Sequence, residues 1–82
     1  MNPKPTPPRM QWWSVLLAYP ATVWEDSQQC ETYYTFVKAC DRNEATRRAY
    51  REVLAVNDWS PEDYALDQFD ELLVLKGRHW AA

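Results

Sequence analysis

Three places along the chain carry the residue pattern of a helix N terminus. Thr22 and Asp41 are each followed three positions later by a glutamate, which is the spacing of a capping box. Ser60 is followed by a proline and then by two acids, an order that suits the first turn of a helix and its dipole. Trp59 and Tyr64 flank this third start at the positions of a hydrophobic staple. The pattern therefore predicts three helices that begin directly after these caps.

Apolar residues recur at spacings of three, four and seven after the predicted starts, as they do on one face of a helix. We expect helices over about 23–40, 42–56 and 61–76, with a break near Asp41 because the apolar stripe changes phase there. Gly77 follows the last helix at the position of a left-handed C-cap. The predicted core side chains are Tyr33, Tyr34, Val37, Ala49, Val53, Leu66, Phe69, Leu72 and Leu73.

The segment 10–19 is almost entirely apolar. Trp12, Leu16 and Tyr19 fit one face of a helix that Pro20 would end, so a short buried helix is the first expectation. A buried strand is the alternative, because periodicity does not separate the two structures over so short a run.

These segments together predict an all-α fold, a small bundle of three to four helices. The predicted helices span 10–19, 23–40, 42–56 and 61–76. Helices joined by short turns bury their apolar stripes by packing on their neighbours. A chain of 82 residues is the size of one domain, which we place at 10–82. Residues 1–9 are rich in proline and predict a flexible, extended leader.

The composition favours binding over catalysis. The chain has five tryptophans and five tyrosines, but only one glycine and one histidine. Large aromatic side chains anchor interfaces, whereas phosphate-binding loops need glycines and catalytic sites need clustered titratable groups. Two cysteines, Cys30 and Cys40, and the single His79 do not have the spacing of a metal site. We therefore expect no enzymatic activity, no cofactor and no bound metal.

The candidate partner-binding residues are of two kinds. The tryptophans proposed as anchors are Trp12, Trp13, Trp24 and Trp80. The acids that would share one face of the last helix are Asp63, Asp67, Asp70 and Glu71. Such a face is either solvated or docks on a basic surface of another protein. These features predict a small acidic protein-interaction module, an inhibitor or a regulatory or accessory subunit of the type that phages and mobile elements encode.

Two other classes of function are kept as alternatives. A secondary basic patch, consisting of Arg47, Arg48 and Arg51, would serve a nucleic-acid-associated regulator. The net charge of −3 and the pI near 5.0 make nucleic acid an unfavourable partner in general. A homo-oligomeric structural protein would instead bury its surplus aromatics in a two-fold dimer. No apolar run approaches the ~20 residues of a membrane span, so we expect a cytoplasmic protein without membrane contact.

Overall fold

The computed structural model describes residues 9–24 and 31–80, without the side chain of Trp24. These residues form a three-stranded antiparallel sheet and one long helix. The elements in chain order are β1 (Gln11–Ala18), α1 (Ala21–Trp24), β2 (Thr32–Ala39), α2 (Arg42–Asn57), a 3₁₀ helix (Leu66–Gln68) and β3 (Asp70–Lys76). The fold is therefore α+β, and the predicted all-α bundle is wrong.

β1 is the central strand, because the order of the sheet is β2-β1-β3. β2 pairs with β1 in one uninterrupted register over all eight residues of both strands. β3 pairs with the other side of β1, and its register shifts between Leu16 and Leu17, where Leu72 is the extra residue of a β-bulge. β2 and β3 are consequently parallel to each other and form the two edges of the sheet.

The core lies between α2 and the face of the sheet that α2 covers. Trp13, Val15 and Leu17 alternate along β1 and are at most 6% exposed, because successive side chains of a strand point to opposite faces. The indole of Trp13 also donates a 3.1 Å hydrogen bond to the carbonyl of Ala39. The side chains that α2 contributes to this core are Ala45, Ala49, Tyr50, Val53 and Leu54.

α2 confirms the predicted helix over 42–56. The carboxylate of Asp41 accepts a 2.8 Å hydrogen bond from the amide of Glu44, which is the expected N-cap. The helix ends at Asn57, and its C-cap Asp58 has a left-handed φ of 57°. Ala49 and Val53 are completely buried, as predicted. The cap and the phase of the stripe were thus sufficient to place this helix.

The predicted helices over 10–19 and 23–40 are wrong. The first segment forms β1, the buried-strand alternative, and the last part of the second forms β2. A spacing of four residues, as between Tyr33 and Val37, places two side chains on one face of a helix and equally on one face of a strand. The residues of β2 are mostly β-branched or aromatic, and such residues fit a pleated sheet better than a helix.

The predicted helix over 61–76 is also wrong, although its first turn forms. The carbonyl of Ser60 accepts hydrogen bonds from the amides of Asp63 and Tyr64 at 3.0 and 3.4 Å. The carboxylate of Asp63 accepts one from the amide of Ser60 at 2.8 Å. A cap satisfies the donors of one turn but does not stabilise the turns that follow. The chain continues instead into the 3₁₀ helix and β3, where the apolar run 72–75 pairs with β1.

An aromatic cluster closes one end of the core. The rings of Trp59 and Tyr64 lie 4.4 Å apart, which is the contact expected of the hydrophobic staple. Tyr19 packs edge-on against Trp59 at 5.8 Å, and Phe69 contacts Tyr19 and Tyr50 at 6.0 and 5.5 Å. These contacts hold the segment before β3 against the end of β1, although that segment contains no long helix.

The predicted core is only partly correct. Val37, Ala49, Val53 and Phe69 are buried, Tyr33 and Leu66 are half-buried, and Tyr34, Leu72 and Leu73 are exposed. The exposed residues lie on strands, where the alternation of the pleat or the bulge turns their side chains away from α2.

Some expectations concern residues outside the described part of the chain. Residues 1–8 of the predicted leader, Cys30 and the side chain of Trp24 lie there. Among the helices of the described ranges, none combines the length and the apolar character needed to cross a membrane.

Candidate functional site

The sheet has a second face, which turns away from α2 and which we call the open face. The pairing registers arrange its side chains in rows across the three strands. One row consists of Tyr34, Leu16 and Leu73, and the next consists of Phe36, Ser14 and Leu75. A third row begins with Lys38 and Trp12. Apart from Ser14 and Lys38, every member of these rows is apolar or aromatic.

Several of these side chains reach solvent. Trp12, Tyr34, Leu73 and Leu75 are between 37% and 40% exposed. Isolated exposed apolar residues are normal on a protein surface, whereas large contiguous patches are typical of interaction sites. The registers place these residues on the same sheet face, so the open face carries apolar surface that remains accessible to solvent.

The segment 77–80 crosses the open face and is attached at the buried hydroxyl of Ser14. This hydroxyl donates a 2.7 Å hydrogen bond to the carbonyl of Gly77 and accepts one of 2.8 Å from the amide of His79. The amide of Gly77 donates to the carbonyl of Trp12 at 2.7 Å. Gly77 has a φ of 89°, a conformation that suits glycine and turns the chain onto the sheet.

Trp80 ends this segment and adds a further aromatic ring to the open face. Its ring packs edge-on against Phe36 at 4.7 Å, while 77% of the residue remains exposed. The hydroxyl of Tyr34 donates a hydrogen bond to the carbonyl of His79. A groove of about 580 Å³ lies here, lined by Trp12, Tyr34, Thr35, Phe36, Arg78 and Trp80.

Two cations flank Trp12 at one end of the open face. The ammonium of Lys38 lies 5.2 Å from the ring centroid, and the guanidinium carbon of Arg78 lies 4.8 Å from it. Both distances are within the range of a cation–π interaction. Since both cations are exposed, this end of the apolar patch carries positive charge that an acidic group on a partner would complement.

A second groove, of about 440 Å³, runs along β2 where this edge strand meets α2. Its walls are formed by Trp12, Phe36, Val37, Lys38, Arg48, Arg51 and Glu52. The carboxylate of Glu52 accepts hydrogen bonds from the hydroxyls of Tyr33 at 2.5 Å and Thr35 at 2.6 Å. Burial, followed by the hydrogen bond to Glu52, raises the pKa of Tyr33 to about 12.

The predicted acidic face is not formed as proposed, because its residues do not share a helix. Asp63 lies in the turn after Ser60, Asp67 lies in the 3₁₀ helix, and Asp70 and Glu71 begin β3. Asp70 and Glu71 are adjacent in a strand and therefore point to opposite faces.

Glu71 is engaged within the protein. Its carboxylate accepts hydrogen bonds from the guanidinium of Arg42 at 2.5 Å and from the hydroxyl of Thr46 at 3.0 Å. The hydrogen bond from Arg42 lowers the pKa of Glu71, and that from Thr46 lowers it further against the effect of burial. Glu71 thus links β3 to the start of α2.

The four candidate tryptophans have different positions. Trp12 and Trp80 lie on the open face, whereas Trp13 is buried in the core and is not accessible to a partner. Trp24 is the last residue of α1, and its side chain lies outside the described part. Tyr34, Phe36, Leu73 and Leu75 were not predicted as surface residues. No local pattern marks them, because neither β2 nor the apolar run 72–75 alternates between apolar and polar residues.

The three arginines of the predicted basic patch lie close together on α2, where all three line one cavity beside Asp41 and Glu44. Arg48 and Arg51 line the groove beside β2, and Arg48 forms a 2.7 Å ion pair with Glu44. Arg47 also lines a cavity on the opposite side, next to Phe69 and Glu71. The structure therefore brings only Arg48 and Arg51 together with the cation Lys38.

Within residues 9–24 and 31–80, histidine, cysteine, aspartate and glutamate side chains form no group of three or more suited to a metal ion. Comparison of the chain with protein-family models, with curated proteins and with solved structures gave no match. The geometry of the sheet and its side chains is accordingly the basis of the functional argument.

Proposed function

We propose that this protein is a non-enzymatic protein-binding module, an inhibitor or accessory subunit, whose contact surface is the open face. The observation that supports this most directly is the partial exposure of Trp12, Tyr34, Leu73 and Leu75 as neighbours on one sheet face. Burying such a patch in a complex removes apolar area from water, which is the main favourable term in protein association.

The residue types on the open face suit an interface. Tryptophan and tyrosine are enriched among the residues that dominate binding energies, because they bury a large area with few rotatable bonds. Trp12, Tyr34 and Trp80 supply such anchors, and Leu73 and Leu75 continue the apolar surface across β3. The expected partner surface is apolar at its centre.

The positive charge at the Trp12 end of the open face favours a partner with acidic groups. Lys38 and Arg78 are exposed there, so the proposed partner carries acidic groups beside its apolar centre. The earlier expectation of a basic partner depended on the acidic helix face, and that helix is absent from the structure. We propose that the protein binds this partner in the cytoplasm.

The overall charge favours a protein over a nucleic acid as the partner. The chain has a net charge of −3, which opposes binding to a phosphate backbone.

The test compares two matched substitutions, Leu73→Glu and Val56→Glu. Both place a carboxylate at an exposed apolar position, the first on the open face and the second on α2. Proteins captured by the wild-type chain from its native host are identified by mass spectrometry, and each complex is then reconstituted from purified components. We expect Leu73→Glu to weaken the reconstituted complex at least about tenfold and Val56→Glu to leave it unchanged.

Three results would contradict the proposal. Equal binding by both variants would place the interface elsewhere, and retention of single-stranded nucleic acid instead of protein would favour the nucleic-acid alternative. A concentration-dependent dimer that Leu73→Glu dissociates would mean that the open face binds a second copy. Circular dichroism of both variants serves as the control for folding.

A further inference from the structure

The outer edge of β2 has a defined hydrogen-bonding phase. The amide of Tyr19 donates a 2.8 Å hydrogen bond to the carbonyl of Glu31, and this pair continues the register of β1 with β2. In an antiparallel ladder, hydrogen-bonded pairs alternate with non-hydrogen-bonded pairs. Steps of two from Glu31 give Tyr33, Thr35 and Val37, whose backbone groups bond to β1. The backbone groups of the residues between them therefore turn outwards, namely those of Thr32, Tyr34, Phe36 and Lys38.

This edge differs from the other edge of the sheet. β3 contains the bulge at Leu72, and bulges are a common means of preventing a further strand from pairing. β2 is regular over its whole length, and no strand in the described ranges pairs with its outer side. An exposed regular edge is a template for an additional strand.

The side chains around the β2 edge define which strand would fit. The groove beside this edge contains the cations Lys38, Arg48 and Arg51 and one acid, Glu52, whose carboxylate already accepts two hydrogen bonds. Arg51 has no ion-pair partner among the described residues. On the other side of the edge lie the aromatic rings of Tyr34 and Phe36.

We propose that the outer edge of β2 binds an extended segment of a partner protein as a fourth strand, with acidic and apolar residues in alternation. The apolar residues of the segment contact Tyr34 and Phe36 on the open face. The acidic residues point to the α2 side, where Arg48 and Arg51 lie. This inference rests on the proposed function and specifies the chemistry of the partner.

The first experiment uses a synthetic peptide that alternates glutamate and leucine and has the length of β2, 8 residues. Amide hydrogen exchange is measured by NMR on the full chain with and without the peptide. We expect slower exchange at Tyr34, Phe36 and Lys38, whose amides acquire acceptors. Exchange at Tyr33 and Thr35 should not change, because their amides already bond to β1.

The second experiment tests backbone pairing with N-methylated peptides. One peptide carries N-methyl groups on the backbone amides of all leucines, and a second carries them on those of all glutamates. The two peptides lose backbone donors that point to opposite edges of the bound strand. We expect one of these two peptides to lose binding and the other to retain it. Retention by both would show that the peptide does not add as a strand, and loss by both would show that neither edge is selectively recognised; either result overturns the inference.

The third experiment tests the charges with Arg51→Glu and its matched control Arg47→Glu. Both residues are exposed arginines of α2, but only Arg51 lines the groove beside β2. We expect Arg51→Glu to weaken peptide binding about tenfold and Arg47→Glu to have little effect. A peptide that alternates lysine and leucine should bind the wild-type chain weakly; equal binding of the two peptides would contradict the charge argument.

The outcomes separate this inference from the proposed function. Absence of protection at the outward amides, combined with loss of the native partner in Leu73→Glu, would overturn the edge-strand inference alone. Protection by the peptide without any effect of Leu73→Glu on the native partner would overturn the role of the open face alone. Protection that rises with protein concentration in the absence of peptide would assign the edge to a second copy and overturn the proposed occupant.

Discussion

The hydroxyl of Ser14 and the carbonyl of Gly77 are joined by a 2.7 Å hydrogen bond across 63 positions of the sequence. Ser14 is fully buried at the centre of the open face, where a hydroxyl without partners would be costly. The segment 77–80 supplies these partners and is held on the sheet by the same contact.

We expect Ser14→Ala to loosen this segment and to destabilise the fold by about 1–2 kcal/mol, since both hydrogen bonds of the hydroxyl are lost. Hydrogen exchange should become faster at the amide of His79, which donates to Ser14. The amide of Gly77 donates to Trp12 instead and serves as the internal control. Equal acceleration at both amides would indicate general unfolding and would contradict a local role for Ser14.

Val53→Ala and Val56→Ala remove the same two methyl groups from one helix. Val53 is fully buried against the sheet, whereas Val56 is 65% exposed. We expect a loss of about 2 kcal/mol for Val53→Ala, because a cavity adds to the lost burial, and a change within about 0.5 kcal/mol for Val56→Ala. Urea unfolding measures both. Comparable losses would mean that α2 does not pack on the sheet in the observed orientation.

The hydroxyl of Tyr33 should make stability fall at high pH. Its pKa is raised from 10.0 to about 12 in the folded state, so the unfolded chain releases this proton first as the pH rises. The stabilisation is complete below pH 10 and disappears as the pH approaches 12. Tyr33→Phe should lack this component. The measurement is the difference in unfolding free energy between wild type and variant across this range; a difference independent of pH would contradict the shifted pKa.

The ion pair between Glu71 and Arg42 should matter least in acid. The pKa of Glu71 is lowered from 4.5 in the folded state, so its stabilisation is present above pH 4.5 and is lost as the pH falls through the lower folded value. We expect Glu71→Gln to cost up to about 1 kcal/mol at neutral pH, and the cost to shrink on acidification and in high salt. Glu62→Gln, at an exposed acid of the turn, is the control in the same unfolding titrations.

The sequence was sufficient to place α2 but not the sheet. Asp41 and the stripe from Ala45 to Val53 agree on one helix, and tertiary packing reinforces it. At Ser60 one turn forms as well, and the carboxylate of Asp63 accepts a hydrogen bond from the amide of Ser60 there. The energy of one turn is small, however, compared with the pairing of β3 on β1. Local signals therefore mark where a helix starts without deciding how far it continues.

The candidate surface was only partly predictable for a related reason. Trp12 and Trp80 stand out by residue type, whereas Leu73 and Leu75 resemble core residues until their strand pairing is known. By residue type, Trp13 is as good an interface candidate as Trp12. Only the alternation of β1 assigns Trp13 to the core and Trp12 to the surface. Assignment of side chains to a face needed the long-range register.

The alternation of β1 also separates side chains that can be replaced from those on which folding depends. Replacing a residue on the α2 side, such as Val15, alters the packing on which folding depends. Replacing Trp12 or Leu16 on the other side changes the surface but leaves that packing intact. New partner specificities can therefore evolve at Trp12 and Leu16 one residue at a time, at little risk to the fold, whereas the buried Ser14 between them must be kept.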